Sequence, residues 1–346
     1  MLLNIIFAKK CMILQAKYNT IDLTKMLMAF FVVGIHVNSV CPADYPLIIK
    51  FVVSTAVPFF FVVSGFLLQN KIIRKNNVYD VLRENIKRTL RLYALWLVVY
   101  FPFSLYRYWI NDHGFVFDIV SYLYSIILVG ETSYAWPLWY LLGLIVAVTI
   151  IYFLHRLGMS LFKIWTIAMI LMLLGYFLKQ GLDSTNSVVY GICRFNKFLF
   201  GEADRNGLYR GFALVSSGML IRQYYEKLDH SLLTGFMFLC ISFILYYFDL
   251  PFPLFFSGTG IFLMVTSFNM IDRSLWPKLR EQSIWIYFIH MHIIFILDKT
   301  IAYQIVSLEN IFFVWIAVFG ITWIIAMGLS FLRKYKYLRC LSSLIE

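Results

Sequence analysis

Apolar residues run along this chain in long blocks rather than in narrow stripes. From Ile21 to Leu332, stretches of about 20 predominantly apolar residues recur with short polar breaks between them, and that is the length an α-helix uses to cross a bilayer. The clearest blocks are residues 21–41, 47–69, 89–109, 137–154, 164–178, 208–222, 232–249, 253–271, 284–303 and 310–332. They predict an all-α, polytopic transmembrane bundle of about ten spans. A further apolar stretch, 117–130, is short for a crossing at about 1.5 Å per residue and is expected to be re-entrant or interfacial.

Composition agrees with that solvent. Of 346 residues, 61% are hydrophobic and only 14% charged, with a mean hydropathy of +0.78. That much apolar surface cannot be hidden in one water-soluble core. The charges then orient the chain. With the N-terminus inside, 21 of the 30 lysines and arginines fall in cytoplasmic segments and 8 outside, Lys25 lying within the first span. This asymmetry is the positive-inside pattern, and it predicts N-in, C-in. Counting 117–130 as a crossing would instead place the four basic residues after 332 outside. Residues 1–20 are expected to be a cytoplasmic lead-in rather than a signal peptide, because Lys9 and Lys10 follow the apolar Leu2–Ala8 instead of preceding it. Residues 21–332 then form the transmembrane domain and 333–346 a basic cytoplasmic tail. The net charge of +12 is explained by topogenic residues facing anionic headgroups, and no nucleic-acid partner is expected. The longest external loop, about 179–207, mixes charges with Gly, Asn, Ser and Thr, and is the natural place for a polar substrate.

Ionisable groups inside membrane helices are functional candidates by default, since burying them unpaired is costly. The first span holds Asp22, Lys25 and His36. Eleven residues bring His36 back to within about 20° of Lys25 on the same helix face and about 16 Å further along the axis. Asp22 lies one turn before Lys25. An interfacial pair with a snorkelling lysine is the alternative for Asp22 and Lys25, and a buried structural histidine is the alternative for His36. Histidine nevertheless suits acyl transfer to a hydroxyl, either as general base or as a nucleophile that accepts the acyl group transiently, and the sequence does not separate the two. Further on, Arg83, Lys87 and Arg91 fall at i, i+4 and i+8 with Arg88 beside them, forming a cytoplasmic basic ridge. Such a surface serves a donor bearing several phosphates, such as an acyl-coenzyme A. It equally serves as a topogenic flank.

These features together resemble the acyltransferase-3 family of membrane acyltransferases. Lys25-x10-His36, preceded by Asp22, resembles the family's Arg/Lys-x10-His pattern; VPFFFVVSGFLL (57–68) resembles its segment around Ser64 and Gly65; Lys87-Arg88-x2-Arg91 resembles its basic cytoplasmic motif. WPLWYL (136–141), Arg205-Asn206-Gly207 and SIWIYFIH ending at His290 resemble later blocks, so the likeness covers about residues 20–332. The resemblance implies a cytoplasmic acyl donor, usually acetyl-coenzyme A, used as a substrate rather than as a tightly bound cofactor. It also implies an extracytoplasmic acceptor such as an envelope saccharide or lipid-linked saccharide, an inner-membrane location, an essential His36 and a donor-binding role for the basic motif. Lysine at the first position of both basic motifs supplies a point charge instead of a fork.

Smaller expectations attach to other residues. His290 and His292 stand about 200° apart on a helix and make a poor metal pair; His290 is the one expected to face the core, and no metal site is expected. Gly207, Gly211 and Gly218 share a face suited to close helix packing. Arg205 and Asn206 can bind sugar hydroxyls or anchor a loop. Trp136, Trp139 and Tyr140 can stack on a sugar or form an interfacial belt. A rival reading is a transporter of saccharide or small solute, whose proton relay also uses intramembrane charges. The cytoplasmic basic motif is the feature a transporter does not require.

Overall fold

The computed structural model describes every residue except 1, 42–43, 112–113, 204, 226–230, 269, 272, 301–307, 334, 336–341, 343 and 346, and gives the backbone alone for residues 2–18, 111, 300 and 308–310. Among the described residues there are thirteen α-helices and no strand. The expected basic tail, 333–346, lies largely outside the described residues.

The chain divides into two compact units, and the boundary falls inside α3 (Ala56–Lys75). The first unit contains α1 (Leu2–Val40), α2 (Leu47–Ser54), the start of α3, α10 (Ser231–Tyr247), most of α11 (Pro253–Ser267), α12 (Leu275–Thr300) and α13 (Leu308–Leu332). The second contains the rest of α3, α4 (Val78–Asn111), α5 (Phe115–Tyr124) continued by a π-helical turn at Ser125–Val129, α6 (Leu138–Arg156) and α7 (Leu161–Gln180). It also holds α8 (Ser187–Phe200) and a π-helical turn at Gly207–Gly211 that runs into α9 (Phe212–Tyr224).

Among the described residues six helices are long and apolar enough to cross a bilayer: Asn19–Val40, Leu47–Lys75, Val78–Ile110, Leu138–Arg156, Leu161–Asp183 and Ile311–Leu332. Phe115–Val129, Ser231–Tyr247 and Pro253–Ser267 are apolar but shorter. α12 reads differently because charged residues occupy both of its ends, Lys278, Arg280 and Glu281 at one and Asp298 and Lys299 at the other. The outward faces carry side chains that water would not tolerate in such numbers, among them Trp109 at 90% exposure and Phe313 at 73%, and hydroxyls such as Ser216, Ser242 and Thr322 are buried. That inversion belongs to a protein whose outer solvent is lipid.

In the first unit α1 packs against α12 and α13. Gly34 allows the closest approach: a Cβ there would stand 2.5 Å from the Trp315 ring. Trp315 Nε1 in turn donates to the carbonyl of Phe30 at 2.8 Å. Glu281, early in α12, pairs with Arg333, just after α13, at 2.8 Å, so these two helices are antiparallel.

In the second unit glycines bring helix backbones together. A Cβ on Gly65 would stand 2.0 Å from the Val215 carbonyl oxygen, and one on Gly218 would stand 2.0 Å from that of Val62. Gly207 and Gly211 both rest on Gly143. The three glycines expected to form a packing face therefore do so, against two different helices.

The segment expected to be an external loop, 179–207, contains α8. Asn186 caps it, its side-chain oxygen accepting from the N–H groups of Val188 and Val189, which satisfies orphan donors of the first turn. Val188, Ile192 and Phe195 recur at helical spacing and are exposed, so this is an amphipathic helix and not a coil.

Candidate active site

Two levels of polar residues line the contact between α1 and α12. At the lower level Asp22, with a side chain only 7% exposed, lies 3.7 Å from Lys25 on its own helix and 3.7 Å from Arg280 on α12. Two cations share one carboxylate, so the trio carries a net positive charge. About 16 Å further along α1, the ring of His36 stacks on that of His290, centroids 5.2 Å apart and planes at 29°. Tyr287 closes on His290 with centroids 6.4 Å apart.

This geometry makes α1 and α12 parallel, since the earlier residues of each meet and the later residues of each meet. It also sets the state of one histidine ring. His290 is fully buried, and its Nδ1 stands 2.9 Å from the carbonyl oxygen of Ile286. A carbonyl can only accept, so Nδ1 carries the proton and Nε2 of the neutral ring is left with its lone pair. That Nε2 is buried and has no hydrogen-bond partner among the described residues. It is an acceptor waiting for a proton donor, placed beside His36. Beyond this level the end of α1 is tied down: Asn38 donates to Asp44 at 2.8 Å, and Lys50 pairs with the same carboxylate. Lys50 and Asn38 hold the Asp44 carboxyl below the usual carboxylate range.

The basic ridge belongs to the second unit. Arg83, Lys87, Arg88 and Arg91 are all exposed on the first half of α4. Arg83 bonds to Tyr152, and neighbouring Glu84 is engaged by Lys71 and Lys75, each at 2.9 Å. Lys87 and Arg91 have no carboxylate partner among the described residues. Their charge is available to an external anion.

Other candidates have structural employment. Ser64 and Tyr140 hydroxyls share a 2.8 Å hydrogen bond. Trp139 is buried against Phe61, centroids 5.8 Å apart; it is part of the core and not of an interfacial belt. Asn206 is 7% exposed. Its oxygen caps the following turn at Tyr209 N–H, and its amide donates to the carbonyls of Phe200 and Glu202, so the side chain is fully used in anchoring the loop. Arg205 is exposed on that loop.

Arg280 is the residue that the sequence reading passed over. Its signal is positional: it precedes His290 by about the same helix length that separates Lys25 from His36, so the two parallel helices each carry a cation below a histidine.

A bundle of apolar helices with charged groups at one level and a histidine pair at another describes a multi-pass membrane protein with an intramembrane polar site. The acyltransferase-3 family profile, described as an acyltransferase domain, matches residues 18–330, and the chain belongs to that family. Membership supports an acyltransferase. The chain is also similar, at 28% identity over 300 residues, to a serine/alanine racemase of Enterococcus gallinarum; the match spans 80% of this chain and 41% of that protein. An amino-acid racemase of Enterococcus faecalis is 28% identical over 200 residues, 56% of this chain and 26% of that protein. The chain thus matches less than half the length of these curated relatives. No solved structure gives a significant match.

Proposed function

We propose that this protein is a cytoplasmic-membrane acyltransferase that moves an acyl group, acetyl in the simplest case, from cytoplasmic acyl-coenzyme A to a hydroxyl of an extracytoplasmic saccharide or saccharide-linked envelope acceptor. The observation that carries the reading is the stacked His36–His290 pair above the Asp22–Lys25–Arg280 trio. A base and a preset proton acceptor lie in the interior of a family of acyl-transferring membrane proteins, with positive charge further down the same helices.

Lys87, Arg88 and Arg91, with Arg83 alongside, hold the phosphates of the donor. Lys25, held by Asp22, supplies positive charge on the face that carries His36. His36 accepts the proton of the acceptor hydroxyl as its oxygen attacks the thioester carbonyl. The carbon–sulfur bond breaks, the new ester forms, and the thiolate of coenzyme A takes up the proton. His290 orients His36 and accepts a hydrogen bond at Nε2. The parallel run of α1 and α12 is what the first and ninth spans of a ten-span bundle require.

The test is acyl-group analysis of the cell envelope with the wild-type protein, without it, and with His36→Ala. We expect acylation that depends on the protein and a fall of about 10²–10⁴ in transfer rate for the variant, with membrane abundance and acetyl-coenzyme A affinity retained. Wild-type transfer by His36→Ala would remove the assignment.

A further inference from the structure

The second unit contains a cleft of about 740 Å³ formed by the end of α4, α5 with its π-helical turn, the 131–136 loop and the end of α8. That volume falls within the roughly 300–1,000 Å³ of small-molecule sites. None of the residues discussed above as donor-binding or catalytic lines it.

Its position on α4 is informative. Lys87, in the basic ridge, and Arg107, in the cleft wall, are separated along this one helix by about 30 Å at 1.5 Å per residue, which is about the thickness of the hydrocarbon core. Ridge and cleft therefore open at opposite faces of the membrane. If the ridge holds a cytoplasmic donor, the cleft faces the acceptor side.

Its chemistry is that of a neutral, hydroxyl-rich ligand. The lining carries three cations, Arg107, Arg194 and Lys197, and three carboxylates, Asp118, Glu131 and Glu202, so it does not select a charged one. Lys197 and Glu202 already neutralise each other at 2.6 Å, and Arg107 donates to the Ser133 hydroxyl at 3.3 Å. Asp118 is the exception: its Oδ1 is removed from solvent and accepts no hydrogen bond from the described residues. Beside it, Tyr108 and Ser121 share a hydrogen bond. A carboxylate oxygen left in that state calls for a hydroxyl or amide donor. Trp136 supplies the flat surface, stacked on Tyr134 with ring centroids 5.8 Å apart and planes at 13°. Tyr134 holds its backbone at φ 55°, a left-handed conformation that an aromatic residue rarely adopts and that persists where surrounding structure enforces it, often at binding sites.

The geometry points to this cleft as the acceptor site, taking an uncharged saccharide whose hydroxyls are read by Asp118 and whose ring lies on Trp136. This rests on the acyl-transfer reading for its biological role, but not for the binding itself. The experiment is saturation-transfer NMR with maltotetraose as a neutral probe, on the full chain in lipid nanodiscs, with acetyl-coenzyme A affinity measured on the same preparations. We expect saturation transfer to the probe in the wild type, and a loss of fivefold or more in both Asp118→Asn and Ser121→Ala, with donor affinity unchanged. Ser121→Ala keeps the test alive if the Asp118 variant fails to fold. An absence of probe binding, equal binding by both variants, or preference for an anionic oligogalacturonate overturns the assignment, and acetyl-coenzyme A binding would then leave the transfer reading standing. Probe binding that depends on Asp118, in a protein with no affinity for acetyl-coenzyme A, upholds the cleft and removes the transfer reading instead.

Discussion

His36 and His290 are 254 positions apart in sequence, and their rings stack with centroids 5.2 Å apart. Because Nδ1 of His290 is committed to the Ile286 carbonyl, His290 presents a bare Nε2 in the interior, and we assign it a positioning role for His36. We expect His290→Gln to lower turnover at least tenfold, within the range for acid–base assistance, while acetyl-coenzyme A affinity stays within about twofold of wild type. Single-turnover measurements beside donor-binding isotherms separate the two. If donor affinity and thermal stability fall along with turnover, His290 is a packing residue and the positioning role is lost.

The contrast between these two residues shows what a sequence can disclose. Lys25, His36 and the Arg83–Lys87–Arg91 ridge are legible because helix periodicity is local: 100° per residue places them on a face without knowledge of any neighbour. The partner across a helix contact is a tertiary fact, so neither His290 beside His36 nor Arg280 beside Asp22 follows from periodicity. The likeness in SIWIYFIH marked His290 as a candidate without saying what it touches. α8 is a different case. Asn186 as a cap and Val188, Ile192 and Phe195 at helical spacing were both present in the sequence, but Gly191, Asn196 and the flanking polar residues gave the segment the composition of a loop. Asn206 shows the reverse, a polar residue in a plausible binding position whose hydrogen bonds are all spent on its own backbone surroundings.

Close helix packing in the second unit gives a stability prediction with an internal control. A Cβ on Gly65 would lie 2.0 Å from the Val215 carbonyl oxygen, whereas one on Gly320 in α13 meets nothing within 4 Å. The obstacle at Gly65 is backbone, so relief means moving a helix. We expect Gly65→Ala to destabilise by about 1–3 kcal/mol or more, as overpacking does, and Gly320→Ala to be neutral or to stabilise by up to about 1 kcal/mol through helix propensity. Thermal unfolding of both variants in one detergent provides the comparison. Equal melting temperatures would show that α3 and α9 are not held at this distance.

Lys87 and Arg91 are the two ridge cations without a carboxylate, tyrosine or other partner among the described residues, which makes them the better test of donor binding. Replacing both by Gln removes about two charge-assisted hydrogen bonds, each roughly 1.5–3 kcal/mol. We expect acetyl-coenzyme A affinity to fall at least a hundredfold, with an intact fold because both side chains are exposed. The wild-type affinity should also weaken as salt is raised, and the double variant should lose most of that dependence. Unchanged affinity in isothermal titration would return the ridge to a topogenic role.

The last prediction concerns the number of crossings, and it follows from the direction of two helices. Asp22 meets Arg280 at one level, and His36 meets His290 at the next, so α1 and α12 point the same way. Two helices that cross a membrane in the same direction have an odd number of crossings between them. The blocks at 47–69, 89–109, 137–154, 164–178, 208–222, 232–249 and 253–271 supply seven; adding the stretch 117–130 would make the number even and the two helices antiparallel. On the ten-span reading we propose, the short helix and π-helical turn at Phe115–Val129 therefore stay on one side, and both ends are expected inside. In a variant with all five cysteines replaced, a membrane-impermeant maleimide should label Ser184→Cys, between α7 and α8, in intact cells. Asn76→Cys, in the turn between α3 and α4, should label only after the cells are permeabilised. Labelling of Asn76→Cys from outside, with Ser184→Cys protected, would invert the orientation. Labelling of both from outside would mean that an even number of crossings separates Asn76 from Ser184, and that the 115–129 segment traverses the bilayer after all.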